Sequence, residues 1–452
     1  MALSSIFSIA KSSLFAHQQA LSVTATNLAN ANNPAYSRQV VMFGSTPPDN
    51  RAVFSFGTGV AVEEILRVRN QVTDNQIRVN NQSYSDANKR STVLKQVESI
   101  FSEPSEYGLS NLLNNFFNSW DELAVDPLST SLRTSVVQSA QTLSEKIESV
   151  YKGISQTKID VKNEAKTMVQ NINRIVEQIH IANKQIYEAN VVGHYANDLV
   201  DKRESLIDEL SQYASINVHY DKNNVANVSI GGMFAVDGLH HVKFDLVQDG
   251  DTLSLMNEEK SVSATLQGGE LNGLITMFNN ELPEQLNKLN TLSTVLMENV
   301  NSIHKKGYTL TNPTETGIDF FTKYENGVLY INEDILKNND NIAISSDGTT
   351  GDNKIALELA ELQNQEVLDG NTISTLYSDF ITGIGNEINL QEQNAESYSL
   401  VLNQLANQKA EYSGVSTDEE MVNVMRYQKS YDAAAKMINI ADELLETLIN
   451  LV

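Results

Sequence analysis

Apolar positions recur at steps of three and four along most of this chain, and that spacing predicts helices. Leu132, Val136, Ala140, Leu143, Ile147, Val150 and Ile154 make one stripe, and Met168, Ile172, Ile175, Ile179 and Ile186 make another, so two long helices are expected there. Leu109, Leu112, Phe116, Trp120 and Leu123 fall on one helical face, an aromatic stripe read as core packing in preference to a ligand pocket. After about Tyr213 the period drops to two. From Val218 to Leu266 short alternating runs are broken at Asn223-Asn224, Gly231-Gly232, Asp237-Gly238 and Asp249-Gly250, which are hairpin signals. Helical spacing returns from Leu271 to about Ile303, and residues 318–346 again read as short strands and turns. From about Lys354 to the end the chain is expected to be helical, with breaks near Gly370, near Gly383 and Gly385, and at Gly414.

The two ends carry a tighter pattern. Positions 3, 7, 10, 14, 17, 21, 24 and 28 hold Leu, Phe, Ala, Leu, His, Leu, Thr and Leu, with a large apolar residue at every seventh position from Phe7 to Leu28. Met421, Val424, Gln428, Tyr431, Ala435, Ile438, Ala441, Leu445, Leu448 and Val452 repeat the spacing behind Ser416-Thr-Asp-Glu-Glu420, a capping-box signature just past Gly414. Both ends therefore read as coiled-coil seams. The first 48 residues contain no Asp or Glu, whereas residues 418–452 hold seven acids and three bases, so charge permits the two to pair. The expected fold is mainly α with an inserted small β domain, the N- and C-terminal helices paired as a coiled coil and a long-helix bundle in the middle. Residues 1–60 and 414–452 are assigned to the terminal coiled-coil domain, 61–212, 269–306 and 353–413 to the helical bundle, and 213–268 and 307–352 to a β-rich outer domain.

Composition narrows the function. With 57 acidic against 32 basic residues the net charge is -25, and no cluster of Lys and Arg offers a phosphate footprint, so no nucleic-acid partner is expected. There is no cysteine, which removes disulfides, thiolate metal sites and cysteine nucleophiles together. No window approaches the roughly 18 apolar residues of a membrane span, and the start Met1-Ala-Leu-Ser-Ser-Ile-Phe-Ser-Ile-Ala-Lys11 lacks the leading positive charge of a cleaved signal peptide. Neither a membrane nor a cleaved signal is expected.

Chemistry is sparse. Gly57-Thr-Gly59 is followed by Val62 where a dinucleotide loop needs its third glycine. His240 and His241 are neighbours in an expected strand and point to opposite faces, a poor metal pair. Asp249-Gly-Asp251 and Asp347-Gly-Thr-Thr-Gly-Asp352 are weighed as calcium loops against plain turns, and neither continues into a full EF-hand. His304 has no nucleophile motif beside it and is read as a packing or capping residue. No catalytic residue, cofactor or metal site is assigned, and the chain is read as not an enzyme.

Two segments carry a family resemblance. Asn27-Leu-Ala-Asn-Ala-Asn-Asn-Pro-Ala-Tyr-Ser-Arg-Gln39 resembles the N-terminal signature of bacterial flagellar rod, hook and hook-associated proteins, Asn-Ile-Ala-Asn-Ala-Asn-Thr-Pro-Gly-Tyr-Ser-Arg-Gln. Gly414 to Lys436, continued by Asp442 to Leu451, is similar to the matching C-terminal tail. Within that group, Phe56–Val62, Tyr107–Trp120, Asn197–Ser211, Gly268–Ile275 and Asn301–Gly307 resemble the FlgK family of the hook-filament junction. Where the family has Pro-Gly, this chain has Pro34-Ala35; alanine does not tolerate positive φ, so a type I turn is expected in place of type II. The chain also looks short for the family, which implies that an outermost domain is missing.

The resemblance implies a structural subunit that polymerises into a ring or tubular layer through its terminal helices. Its partners would be further copies of itself, the hook protein, a second junction protein on the filament side and a cytoplasmic export chaperone on the C-terminal helix. It would be exported without a cleaved signal and end outside the cell in the flagellum. The assembly interface is assigned to Leu3, Phe7, Leu14, Leu21 and Leu28 of the first helix, to Asn30, Pro34 and Tyr36 of the motif, and to Met421, Val424, Tyr431, Ile438, Leu445 and Leu448 of the last helix. The alternatives are another axial rod or hook-type protein, or a surface adhesin carried by the β insert.

Overall fold

The computed structural model describes residues 2–51, 54–193, 196–311 and 313–450. In chain order its elements begin with α1 (Ala2–Ala29), β1 (Gln39–Ser45), β2 (Asp49–Arg51), β3 (Phe54–Phe56) and β4 (Val60–Arg67). Four helices follow, α2 (Gln71–Phe101), α3 (Leu109–Val125), α4 (Thr130–Val191) and α5 (Asn197–Tyr213). The strands β5 (Ile216–Tyr220), β6 (Ala226–Ile230), β7 (Met233–Asp237), β8 (His240–His241), β9 (Phe244–Asp249) and β10 (Thr252–Asn257) come next. Then come α6 (Glu270–Thr276), α7 (Leu282–His304), β11 (Phe321–Glu325), β12 (Val328–Ile331), α8 (Glu333–Lys337), α9 (Lys354–Glu361), α10 (Ile373–Ser413) and α11 (Thr417–Asn450). The fold is mainly helical with small sheets inserted.

The chain divides into two compact units, one of residues 1–82, 172–243 and 398–452 and the other of residues 83–171 and 244–397. The strands expected together in one outer domain are distributed between them: β5 to β8 form a four-stranded antiparallel sheet in the first, and the hairpins β9-β10 and β11-β12 belong to the second. The hairpin signals mark real turns. Gly231 and Gly232 make the two-residue link between Ile230 and Met233 with φ of 54° and 88°, the paired positive values that a tight hairpin demands and that only glycine adopts freely. Asp249-Gly250 opens the β9-β10 turn, with Gly250 at φ 58°.

Two expected helix breaks are absent. The stripes ending at Ile154 and beginning at Met168 belong to one 62-residue helix, α4, because buried Thr157, Val161 and Ala165 carry the spacing across a stretch that looks polar. Likewise α10 runs unbroken through Gly383 and Gly385. Phe380, Ile384 and Ile388 keep its apolar face buried there, and packing of that face outweighs the roughly 1 kcal/mol that each glycine costs a helix. Between α6 and α7 the backbone makes one π turn over residues 277–281 ahead of Pro283, which cannot donate to the helical ladder.

The core of the second unit is aromatic. Phe116, Trp120 and Phe320 are completely buried, with Trp120 and Phe320 edge to face at 5.2 Å and Phe320 and Phe321 at 4.8 Å between centroids. Each such side chain taken from water is worth roughly 1.5–3 kcal/mol. His304 sits in the same cluster: its Nδ1 is 2.7 Å from the Ile318 carbonyl and its Nε2 accepts from the Ala343 amide at 3.0 Å, which makes it a neutral ring with Nδ1–H donating. Complete burial pushes its pKa down to about 4.

Candidate assembly interface

The motif after α1 is a knot of hydrogen bonds centred on Asn27. This side chain is almost fully buried, and its amide uses all of its bonding capacity. Nδ2 donates to the Gln39 carbonyl at 2.8 Å and to Oε2 of Glu420 at 3.1 Å, while Oδ1 accepts from the Tyr36 hydroxyl at 2.7 Å and the Gln39 amide at 2.9 Å. A buried side-chain amide with donors and acceptors all matched fixes one arrangement, because each group left unpaired would cost about 1–3 kcal/mol.

The chain between Asn27 and Gln39 turns back to make this knot possible. Asn33 to Tyr36 form a turn closed by the Tyr36 amide on the Asn33 carbonyl at 3.1 Å, and the Asn33 side chain accepts from the Ala35 amide at 3.1 Å. Ala35 stays out of the left-handed region, so the turn lacks the positive φ of type II and agrees with the type I expectation. Pro34 is exposed and Asn30 half-buried, and both line an open groove of about 620 Å³ with Tyr36, Lys409 and Gly414. The Tyr36 ring is half-buried with its hydroxyl turned inward; burial, then the nearby carboxylates Asp198, Asp201 and Glu420, push its pKa above the usual tyrosine range.

Two acids tie the motif to distant parts of the sequence. Glu420, in the first turn of α11, is buried and accepts from Asn27 and from Nε of Arg38 at 2.9 Å, while Nη1 of Arg38 reaches Glu419 at 3.0 Å. Asp201 of α5 accepts from the Ser37 amide at 3.1 Å and hydroxyl at 2.7 Å and pairs with Arg67 of β4. The link into α11 is itself tight, since a Cβ on Gly414 would stand 2.2 Å from the Ala410 carbonyl oxygen. Close by, Arg78 bridges Glu204 and Asp208 at 2.8 and 2.7 Å, and Arg203 reaches Glu204 at 2.8 Å. Burial opposes a charge on Glu204, but Arg203, Arg78 and Arg69 outweigh it and hold that carboxyl at about 2.

From this knot α1 and α11 run antiparallel: Asn27 meets Glu420, and ten residues back His17 stacks on Tyr427 at 6.2 Å, with Phe43 of β1 5.6 Å from His17. Burial lowers the His17 pKa. The paired faces bury mostly small side chains, namely Ala10, Ala16, Ala20 and Thr24 on α1 and Ala434 and Ala441 on α11. Of the residues assigned to the interface, Leu14, Leu21, Leu28, Val424, Tyr431 and Ile438 are half-buried along this pair. Phe7, Met421 and Leu445 are 43%, 50% and 39% exposed, so much of their apolar area stays open within one chain. The side chains of Leu3 and Leu448 lie outside the described ones, as does Val452.

Sequence spacing alone missed Asn27, Arg38, Asp201 and Glu420. The capping-box acid three residues after Ser416 is Glu419, whose amide donates to the Ser416 hydroxyl at 3.4 Å, while the carboxylate of its neighbour Glu420 faces α1. Also unforeseen was a second row of exposed apolar residues on α11, including Val422, Met425, Met437, Ile440 and Leu444. The loops weighed for calcium use their carboxylates as turns do: Asp347 accepts from the Thr349 amide at 2.9 Å, and Asp352 accepts from the Ser346 amide. Among the described residues no group of three His, Asp or Glu is placed to hold a metal, and no helix is long and apolar enough to cross a membrane.

The chain has recognisable relatives. The family model described as the flagellar hook-associated protein FlgK helical domain matches residues 94–321, half of the chain, and that of the flagellar basal body rod FlgEFG protein C-terminal region matches residues 406–451. Flagellar hook-associated protein 1 of Bacillus subtilis (strain 168) is 29% identical over 494 aligned positions, covering 98% of this chain and 97% of that protein. The protein of the same name from Salmonella typhimurium is 24% identical, covering 99% of this chain and all of its own length, over an alignment of 555 positions that exceeds the 452 residues here. In fold, the chain is similar to the flagellar hook junction protein FlgK from Burkholderia pseudomallei, with a TM-score of 0.63 at 14% identity over 74% of this chain and 99% of that one.

Proposed function

This chain belongs to the FlgK family of flagellar hook-associated proteins, and from that premise we propose that it is a structural subunit of the bacterial flagellum, laid down as the junction layer between hook and filament. The observation that carries this reading is the exposure of large apolar side chains on both members of a helix pair whose fully buried positions hold mostly small side chains. A helix pair in a finished monomer buries its large residues; one that joins a wall keeps them for its neighbours. Residues 1–60 and 414–452 form the inner part of that wall, with the half-buried and exposed seam residues from Phe7 to Leu28 and from Met421 to Leu445 at contacts between copies.

The partners follow from that place: the hook protein beneath, a second junction protein above, and an export chaperone covering the apolar face of α11 before secretion. The subunit leaves the cell unfolded and gains its final burial on incorporation. The family's role is structural, and the bonded interior of the motif offers no group free for catalysis. The test is incorporation into flagella of a strain lacking its own copy. Leu21→Asp or Leu445→Asp is expected to leave the aromatic unit folded, as judged by its circular dichroism melt, and to abolish filament growth beyond the hook; normal filaments from both variants contradict the proposal.

A further inference from the structure

On a helix turning about 100° per residue, Phe7, Lys11 and Phe15 form one row on α1, on the side opposite the face that buries Ala16, Ala20 and Thr24. All three are exposed, Phe15 by 58%, and the Lys11 ammonium lies 5.9 Å from the Phe15 ring centroid. On α11, Ile440, Glu443 and Leu444 form a second row: Glu443 points away from buried Ala441, and Ile440 and Leu444 flank it, with Ile440 54% and Leu444 47% exposed. Among the described residues neither Lys11 nor Glu443 has an ion-pair partner.

The rows complement each other, one aromatic-lysine-aromatic and the other aliphatic-acid-aliphatic. Lys11 is the single charge on α1, whereas the end of α11 carries Asp442, Glu443 and Glu446 and no base. Within one chain no ion pair, hydrogen bond or ring contact joins the two rows among the described residues. We propose that the Phe7-Lys11-Phe15 row of one copy docks on the Ile440-Glu443-Leu444 row of the next. This rests on the polymerising role above and adds to it which back faces which. Because two different surfaces meet, the contact is heterologous and propagates from copy to copy instead of closing as a symmetric pair. Burial of the four apolar side chains supplies the attraction, and the enclosed Lys11-Glu443 pair sets register and rejects the like-charged alternative of α11 on α11.

Since the chain has no cysteine of its own, the contact can be read by cross-linking. Phe15→Cys and Leu444→Cys subunits are produced together in a flagellated strain lacking its own copy, and isolated flagella are treated with a mild oxidant. A covalent dimer is expected when both variants are present, with at least a tenfold weaker band from either alone; the double variant in one chain is expected to give a ladder of dimers, trimers and longer products. The Lys11→Cys and Glu443→Cys pair repeats the measurement at a polar position, should Phe15→Cys or Leu444→Cys be kept out of flagella. Variants that enter flagella without a mixed cross-link at either pair overturn this inference and leave the polymerising role standing. Dimers of like variants alone overturn it in favour of a symmetric contact. A wild-type chain absent from the flagella overturns both.

Discussion

The aromatic core and the paired ends follow the same three-and-four spacing with the sizes reversed. Around α3, Phe116, Trp120 and Phe320 are inside, and the single-chain fold consumes their apolar area completely. Along α1 and α11, alanines are inside, while Phe7, Phe15, Met425, Ile440 and Leu444 are out. Burial therefore tells a helix filled within one chain from one that leaves large apolar side chains exposed, where periodicity does not. The polar part of what holds the ends together in one chain, the Asn27 and Glu420 knot, lies at one end of the pair only.

The contrast breaks most sharply under truncation. Trp120→Ala is expected to cost about 3–5 kcal/mol in the stability of the aromatic unit, whereas Phe15→Ala changes the stability of the free chain by less than about 0.5 kcal/mol. Urea melts followed by circular dichroism give both numbers, and a similar loss from each substitution would erase the distinction between the regions.

Acid comes next. His304 is neutral in the fold with its pKa pushed down to about 4, while in the unfolded chain it takes its proton near the ordinary value of 6.5. Above 6.5 its contribution is fully present; as pH falls from 6.5 to 4 the unfolded state binds the proton first, and about 3 kcal/mol is lost. The lone tryptophan, 6.3 Å from this ring, reports it directly. Trp120 fluorescence in urea at pH 7 and pH 4.5 should show the drop in wild type and a much smaller one in His304→Asn.

Removing the knot is a middle-sized perturbation confined to the ends. Asn27→Ala leaves the Tyr36 hydroxyl and a Glu420 oxygen without a partner, and about 1–3 kcal/mol of docking should go with it. Limited proteolysis should then cut α1 and α11 faster, with the melt of the aromatic unit unchanged. The smallest expected effect is a gain: nothing lies within 4 Å of a Cβ placed on Gly383 inside α10, so Gly383→Ala should add roughly 0.5–1 kcal/mol. A loss there would mean that the helix needs to break at this point.

Much of this was legible in the residues. Hairpins announced themselves through glycine pairs whose conformation few other residues adopt, and the helices through stripes that packing later filled. The unbroken α4 and α10 were not legible, because a glycine or a polar stretch weakens a helix locally while the tertiary face that carries it through is set by partners far away in sequence. The same holds for the knot. Asn27, Ser37 and Arg38 sit in a visible motif, but their partners Asp201 and Glu420 lie 164 and 393 positions from the residues they bind, and nothing local marks those two carboxylates among 57 acids. Nor can spacing say which of two apolar rows on α11 meets α1, since both satisfy the same period.

The most direct measurement is amide hydrogen exchange along α1 and α11, in the free chain and in isolated flagella. Residues 5–20 and 430–447 should exchange far faster than α3 in the free chain, with protection rising toward Asn27 and Glu420, and should become as slow as α3 once assembled. Equal, strong protection of both helices along their whole length in the dilute free chain would contradict the view that these ends complete their burial only among neighbouring copies.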